Sequence, residues 1–279
     1  MNFTFSEEQE MLRAQAREFL EKRYPIEHVA AIADGAGFDR REWQEIVELG
    51  WTGISVPEEQ GGAGLGFLEE IVVAEELGRA LYPGPFFGVV ILALPLLQRA
   101  GASDLVRAII AGDRVATVAW AGEDGRFDVD PAPKVRWDGE RLSCVKLFVP
   151  DLAAVDLVVA VGAADGGVGI WAIDRDAPGV GWRELATVDT TRRLGELVLE
   201  DAPARALSFE KDASSLESLR DRALSALAAE AVGVGFRALE LALEHARTRT
   251  QFGRPIGGYQ AVSHPLAQAF VEQIGRAHV

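Results

Sequence analysis

The sequence is poor in cysteine: Cys144 is its only one in 279 residues. A single thiol excludes a framework of internal disulfides and is typical of a reducing compartment. A secretory leader is not evident either, because the opening residues MNFTFSEEQEML are acidic where a signal peptide is first basic and then apolar. These absences together predict a cytoplasmic protein.

Positive charge is also scarce. The chain has 28 Lys and Arg against 43 Asp and Glu, which gives a net charge of −15. Such a chain repels a phosphate backbone and an anionic membrane unless its basic residues cluster, so no nucleic-acid partner is expected. The longest apolar stretch, PFFGVVILALPLL from Pro85 to Leu97, is too short to span a bilayer. It predicts a buried helix and no membrane span.

Three groups of residues that often bind ligands have simpler interpretations here. The histidines are scattered and predict no metal site; they are His28, His245, His264 and His278. GGAGLG at Gly61 to Gly66 lies in no βαβ unit, which predicts a turn and not a dinucleotide loop. Paired acidic residues are interpreted as solvated helix faces; they are Glu58/Glu59, Glu69/Glu70 and Glu75/Glu76.

The pattern of apolar residues changes twice along the chain. In residues 1–112 the apolar residues recur at three- and four-residue spacing, which predicts helices. Residues 113–208 are short Val-, Leu- and Trp-rich runs separated by Gly, Asp and Pro, which predict strands. Residues 209–279 return to a helical pattern, with glycines that predict close packing against a helix or ligand. The predicted fold is α+β and multidomain: an N-terminal all-α domain, a small middle β-barrel or sandwich, and a C-terminal helical bundle.

Four stretches resemble the acyl-CoA dehydrogenase family, and they occur in that family's order. They are FTFSEEQEMLRAQAREFLEK, GWTGISVPEEQGGAGLGFLEEIVVAEELGRA, VDTTRRLGELVLEDAPA and RTRTQFGRPIGGYQAVSHPLA. The resemblance covers nearly the whole chain and three differently folded regions. It implies that FAD binds between the β domain and the helical bundle, with a neighbouring subunit completing the cofactor site.

The last of these stretches carries four residues that resemble the family's FAD contacts. Arg249, Gln251 and Phe252 resemble residues that reach FAD across the subunit interface, and Gln260 resembles a glutamine near the adenine. The residue types suit these roles, because a guanidinium can hold two pyrophosphate oxygens, amides pair with ribose or adenine, and Phe packs on a flat ring. The alternative is that Arg249 is a helix C-terminal charge and Phe252 an apolar plug in an interhelical turn.

KLFVPDLAAVDLVVAV resembles the strand of that family that meets the flavin ring. The family usually has a Trp and a hydroxyl residue where this chain has Phe148 and Pro150. Phe can still pack on the flavin, but Pro offers neither a hydroxyl nor a backbone N–H. The family's earlier flavin-side loop, rich in Thr, Glu and Pro, is not visible in VATVAWAGEDGRFDVD. These departures resemble divergent members that serve as partners in two-subunit dehydrogenases.

No catalytic base is assigned within the chain. The family places its Glu either in a loop late in the bundle, before which this chain ends, or early in the long helix. Counting back from RTQFG without gaps puts the early position at Ala223. Asp221 projects from a different helix face, and Glu230 shares the face but lies about 10 Å along the axis. Both are interpreted as solvated or interfacial, and the usual Glu is expected in the late loop.

The last six residues, IGRAHV from Ile274 to Val279, interrupt a good helical pattern. They also match the in-frame translation of a common sequencing adapter. The natural protein is therefore expected to continue beyond Gln273, with this chain holding about two of the four bundle helices.

The expected function is an FAD-dependent acyl-CoA dehydrogenase subunit of a homo- or hetero-oligomer, either dimer or tetramer. The resemblance implies oxidation of an acyl-CoA to its 2,3-enoyl thioester, with electrons passed to an electron-transferring flavoprotein. Two alternatives stay open. One is a non-catalytic partner that completes the FAD site of a base-bearing chain, which Ala223, Phe148 and Pro150 favour. The other is a flavin oxidase or monooxygenase on the same scaffold.

Overall fold

The computed structural model describes residues 5–35, 37–129, 132–164, 167–210 and 214–276. Its element order confirms the predicted succession of helices, strands and helices. The helices are α1 Glu7–Arg23, α2 Ile26–Asp34, α3 Arg40–Glu48, α4 Phe67–Ala80, α5 Leu94–Arg99, α6 Ser103–Ile110, α7 Ser214–Thr248 and α8 Gln260–Arg276. The strands are β1 Ala116–Ala119, β2 Arg136–Trp137, β3 Arg141–Pro150, β4 Leu157–Ala164, β5 Gly167–Asp174, β6 Val180–Glu184, β7 Leu194–Pro203, β8 Arg205–Glu210, β9 Thr250–Gln251 and β10 Arg254–Pro255.

The chain forms two compact units. The helical unit consists of Met1–Val29, Ile71–Tyr82 and Ser225–Val279, and the mixed unit consists of Ala30–Glu70 and Pro83–Leu224. The three domain boundaries proposed from the sequence stay a prediction.

The strands of the mixed unit form two four-stranded sheets. One has the order β1-β4-β5-β8 and the other β2-β3-β7-β6. Only the β1–β4 pair of these sheets is parallel among the described strands. The closed barrel is not confirmed, because the described strands leave edge strands β1, β8, β2 and β6 instead of pairing into one cylinder.

The apolar stretch from Pro85 to Leu97 is the buried helix that the sequence predicted, but part of it has an unexpected geometry. Phe87–Ala93 is a π-helix whose seven residues are all buried, and α5 follows it directly. Most π-helical segments are single-turn bulges, so a seven-residue run is unusual. Gly88 lets this helix approach β1, because a Cβ there would lie 2.8 Å from Thr117 Oγ1.

In the helical unit, α4 and α7 cross at glycines. A Cβ at Gly78 would overlap the backbone of Glu230, and a Cβ at Gly233 would overlap the carbonyl oxygen of Glu75. The prediction of close packing at the glycines of α7 is therefore confirmed. The solvated face predicted for Glu76 is wrong, because this side chain is buried and accepts two hydrogen bonds from Arg17, at 2.9 and 2.6 Å.

The last helix is longer than the sequence pattern indicated. α8 continues to Arg276, so Ile274 to Arg276 do not interrupt the helix. Ala277, His278 and Val279 lie outside the described residues.

Candidate functional site

Phe148 lies where β3 is interrupted. The pairing of β3 with β7 shifts register between Lys146 and Val149, which places Phe148 in a β-bulge. Its φ of 54° is in the left-handed region, which is uncommon for a residue with a bulky side chain. Bulges re-aim side chains and are frequent near functional sites. The Phe148 ring is 39% exposed, so part of an aromatic face is open to a ligand.

Three aromatic rings follow one another at this bulge. Phe148 stacks on Phe127 with ring centroids 6.5 Å apart, and Phe127 meets Trp120 edge-on at 6.1 Å. Trp120 Nε1 donates to the carbonyl of Asp128 at 3.0 Å, which fixes the inner end of the series. These arrangements are the favoured ones for aromatic pairs. We refer to Trp120, Phe127 and Phe148 as the aromatic ladder.

Lys146 lies two residues before Phe148 on β3 and is fully buried. Its Nζ donates to the carbonyl of Trp120 at 3.0 Å and to that of Val161 at 2.6 Å. Burial lowers the pKa of Lys146 to about 8. Burial also raises the pKa of the half-buried Cys144 thiol, so Cys144 is not the activated thiolate that a nucleophile needs.

Pro150 ends β3 opposite Leu194 of β7. It is buried and has neither a backbone N–H nor a side-chain donor, so it offers a ligand no hydrogen bond. The first N–H after it, on Asp151, donates to the carbonyl of Arg193 at 2.9 Å. The nearest donor along the chain is therefore already used within the protein.

Phe252 stands at the tip of the β9–β10 hairpin in the helical unit. Phe252 and Gly253 both have positive φ, at 52° and 79°, as the central residues of a type I′ turn do. The Phe252 side chain is 94% exposed, so the alternative that it is an apolar plug is wrong. Its only ring contact in the described part of the chain is edge-on, with Tyr259 at 6.4 Å.

The other residues assigned to the cofactor surround this hairpin. Arg249 follows the last residue of α7, and Gln251 and Gln260 lie at the end of β9 and the start of α8. All three side chains are exposed. The hairpin is held by backbone and by Tyr259, whose hydroxyl donates to the carbonyl of Gln251 at 3.1 Å. The structure therefore brings Arg249, Gln251, Phe252 and Gln260 into one short segment of the helical unit, while Phe148 and Pro150 belong to the mixed unit.

An apolar depression of about 550 Å³ lies between α7, the hairpin and α8. Its lining residues are Leu243, Ala246, Arg247, Pro255, Gly257, Ser263, Leu266, Ala267 and Phe270. The depression gives this end of the helical unit an open apolar surface next to the exposed hairpin.

Ala223, which counting back from RTQFG puts at the family's early base position, is half-buried on α7. The residue before it, Arg222, forms an ion pair with Glu70 of α4, and its guanidinium lies 4.2 Å from the centroid of the Phe67 ring. The solvated face predicted for Glu70 is therefore wrong, because Glu70 is fully buried. Burial raises the pKa of Glu70, and the charge of Arg222 opposes that rise. The sequence carries no signal for this pair, since its members lie in separate segments.

The described residues offer neither a metal site nor a membrane-spanning helix. No group of three or more His, Cys, Asp or Glu side chains there could hold a metal ion. Within the same residues, no helix has the length and apolar character needed to cross a membrane.

Two family models match the chain. The acyl-CoA dehydrogenase N-terminal domain matches residues 6–111, and the acyl-CoA dehydrogenase C-terminal domain matches residues 221–275. The acyl-CoA dehydrogenase IpdE2 of Mycobacterium tuberculosis is 32% identical over 267 residues, covering 95% of this chain and 72% of the relative. The chain belongs to the acyl-CoA dehydrogenase family.

Other members of the family show the extent of the match. Acyl-CoA dehydrogenase FadE27 of Mycobacterium tuberculosis is 33% identical over 245 residues, and the chain spans 64% of its length. The solved ChsE4–ChsE5 complex from Mycobacterium tuberculosis is similar with a TM-score of 0.86 and 30% identity, covering 99% of this chain and 77% of that one. The predicted succession of folded regions is thus the acyl-CoA dehydrogenase fold.

The donor set of this acyl-CoA dehydrogenase chain fits FAD in part. A guanidinium, two amides and an unobstructed aromatic ring are exposed on one hairpin segment, which suits a pyrophosphate beside ribose and adenine. Phe148 offers a ring face at the bulge. Pro150 offers no donor to the polar edge of a flavin. The residues present therefore suit the nucleotide portion better than the polar edge of the flavin ring.

Proposed function

We propose that the chain is a subunit of an FAD-dependent acyl-CoA dehydrogenase. The reaction removes a proton from the α-carbon and a hydride from the β-carbon of an acyl-CoA thioester and leaves the 2,3-enoyl thioester. Bound FAD supplies the hydride acceptor, and an electron-transferring flavoprotein takes the electrons afterwards. The observation that carries the proposal is the pair of exposed side chains, Arg249 and Phe252, displayed by a tight hairpin in a chain of this family.

The side chains of this chain have distinct roles in the proposal. Arg249 binds the pyrophosphate through charge-assisted hydrogen bonds, because its guanidinium is always charged. Gln251 and Gln260 donate to and accept from ribose or adenine, and Phe252 packs on a planar ring. Phe148 packs against the flavin and excludes water from that face. The family resemblance implies that the nucleotide they bind belongs to a neighbouring subunit, and the exposure of Phe252 and Arg249 leaves both side chains free to reach it.

A second function is favoured by one observation: position 223 is Ala. A methyl group cannot take the α-proton, so a chain without another base would complete the FAD site of a paired, base-bearing subunit. The similarity to the ChsE4–ChsE5 complex supports a pairing of two different chains. In this version the hairpin still binds FAD, but turnover requires the other chain.

The test expresses the full chain alone and together with a second, base-bearing acyl-CoA dehydrogenase chain. Bound FAD is measured by visible absorbance, and turnover by acyl-CoA-dependent reduction of an electron-transferring flavoprotein. Turnover by the chain alone supports the first function, and turnover only with the second chain supports the partner role. Hydrogen peroxide formed without an added acceptor points to an oxidase instead. Absence of FAD from both preparations overturns the proposal.

A further inference from the structure

Lys146 is a buried cation without a carboxylate partner in the described part of the chain. Its side chain has no exposed area, and its Nζ is bonded to two backbone carbonyls. Burying an ammonium group is costly, and an apolar side chain of similar length avoids that cost. What Lys146 provides and an apolar residue would not is the pair of hydrogen bonds that joins these two carbonyls.

Those carbonyls mark the point where β1 leaves its sheet. The parallel pairing of β1 with β4 ends at Ala119 and Ala160. Lys146 reaches from β3, in the other sheet, and donates to the next residue on each strand, Trp120 and Val161. An ammonium group from one sheet thus joins β1 and β4 of the other sheet just beyond the last backbone pair between these two strands.

The residues after Lys146 and Trp120 also form a hydrogen bond between β3 and the segment that follows β1. The N–H of Leu147 donates to the carbonyl of Ala121 at 3.2 Å. The segment that follows β1 therefore no longer pairs with β4 and pairs with β3 instead. Immediately afterwards β3 bulges, and Phe148 takes its left-handed conformation. Lys146 and Leu147 therefore tie the backbone of Trp120 and Ala121, at the first ring of the ladder, to the part of β3 that carries its last ring, Phe148.

We propose that Lys146 is a positioning residue that sets the orientation of the Phe148 ring by bridging Trp120 and Val161 at the base of the aromatic ladder. The proposal rests on the proposed function for its consequence, namely that Phe148 packs on the flavin. It does not rest on that function for its structural content, because the ladder belongs to the protein alone. Removing the ammonium group frees the end of β1, and the ladder loses its fixed geometry.

The test compares Lys146→Met with wild type in the full chain, co-expressed with its partner chain if flavin retention requires it. Near-UV circular dichroism of the apoprotein reports the ladder, and a flavin titration reports FAD affinity. Leu142→Ala is the matched control, because Leu142 is also fully buried on β3 but lies away from the bulge. Lys146→Gln, which retains a shorter donor, is measured as the second variant, and it alone decides the test if the Met variant does not fold.

We expect Lys146→Met to change the near-UV signal about as much as Phe148→Ala does, and to bind FAD about tenfold more weakly, as expected for lost hydrogen bonds from a charged group. The Gln variant should lie between it and wild type, and Leu142→Ala should lower the melting temperature without either change. A Met variant, or a Gln variant in its place, with wild-type ellipticity and FAD affinity overturns the proposal. Phe148→Ala separates the two claims: if it binds FAD normally, the flavin contact is wrong, while the ellipticity of the Lys146 variants still decides the positioning role.

Discussion

Gly233 of α7 lies directly against the carbonyl oxygen of Glu75 of α4, so closely that a Cβ at position 233 would overlap this oxygen. The relationship is reciprocal, because Gly78 of α4 meets the backbone of Glu230 on α7 in the same way. At this crossing the two helices therefore touch backbone to backbone, and no side chain can be inserted on either side.

Gly233→Ala should destabilise the protein by about 3 kcal/mol, at the upper end of the usual cost of overpacking. The obstacle is helix backbone, which cannot rotate away as a side chain does. Chemical denaturation of the purified variant measures the loss.

Gly235→Ala is a matched control two residues along the same helix. A Cβ there meets only the end of the Gln273 side chain, at 2.7 Å from Oε1, although Gln273 also donates to the carbonyl of Val232. Ala is favoured over Gly in a helix by about 1 kcal/mol, which offsets much of the cost of moving Gln273. Equal losses for the two variants would contradict the backbone contact.

The buried pair Glu70 and Arg222 should show strong coupling. Glu70→Gln or Arg222→Met alone should cost about 3 kcal/mol or more, because each leaves the other charge buried without its partner. The double variant Glu70→Leu with Arg222→Met should lose less free energy of unfolding than Glu70→Leu and Arg222→Met lose in sum as single variants. Free energies of unfolding from a double-mutant cycle measure the difference, and additive costs would show that the pair is not coupled.

Local periodicity was sufficient to predict most of the elements. The helical spacing in the first and last parts of the chain, the strand-forming apolar runs between them and the buried helix after Pro85 are all confirmed. Strand β6, from Val180 to Glu184, was not predicted because most of its residues are exposed and show no alternation. The bulge at Phe148 depends on the register with β7, which is a long-range property.

Burial of charge was the property that sequence could not predict. Glu69 and Glu70 are adjacent and identical, yet only Glu70 is buried. The difference comes from Arg222, whose sequence distance of 152 residues leaves no local trace. The residues assigned to FAD were found through family resemblance, and their roles stay predictions. The structure adds that Phe252 is exposed, which the spacing alone could not decide.

The stability contributed by Lys146 should rise with pH. A lysine in an unfolded chain has a pKa of about 10.4, whereas burial lowers that of Lys146 to about 8. Between these values the unfolded state binds more protons than the folded state, so the free energy of unfolding increases as pH rises. The free energy of unfolding gains about 3 kcal/mol in full as pH rises from the folded-state pKa to the unfolded-state pKa, and it gains nothing at pH values below the folded-state pKa.

Denaturation of wild type and Lys146→Met at several pH values from about 7.5 to about 10.5 measures this contribution. A cysteine of the unfolded chain titrates in this range, at about 8.5, and burial raises the pKa of Cys144 in the folded protein. Cys144→Ala is therefore introduced into both proteins. The stability difference, wild type minus variant, should grow over the range. A constant difference would mean that the ammonium group is not penalised by burial.

The approach of the π-helix to β1 makes a coupled prediction for Gly88 and Thr117. Gly88→Ala should cost about 2 kcal/mol, because its Cβ would lie 2.8 Å from Thr117 Oγ1. Thr117→Ala removes that oxygen, which is buried and has no hydrogen-bond partner among the described residues. The double variant should therefore be more stable than Gly88→Ala alone, as measured by thermal unfolding. A double variant that is less stable than either single one would contradict the contact.

Phe252→Ala and Arg249→Ala should weaken flavin binding without changing stability. Both side chains are exposed, so their removal opens no cavity in the helical unit. If they bind FAD on a neighbouring subunit, each variant should lose about tenfold or more in FAD affinity, and Arg249→Lys should recover only part of it because an ammonium cannot pair bidentately. Arg41→Ala, at an exposed arginine of α3, is the control for loss of surface charge. FAD affinity and melting temperature measured side by side decide the matter: unchanged affinity in both variants would remove the hairpin from the cofactor site, whereas lost affinity at constant melting temperature would place it there.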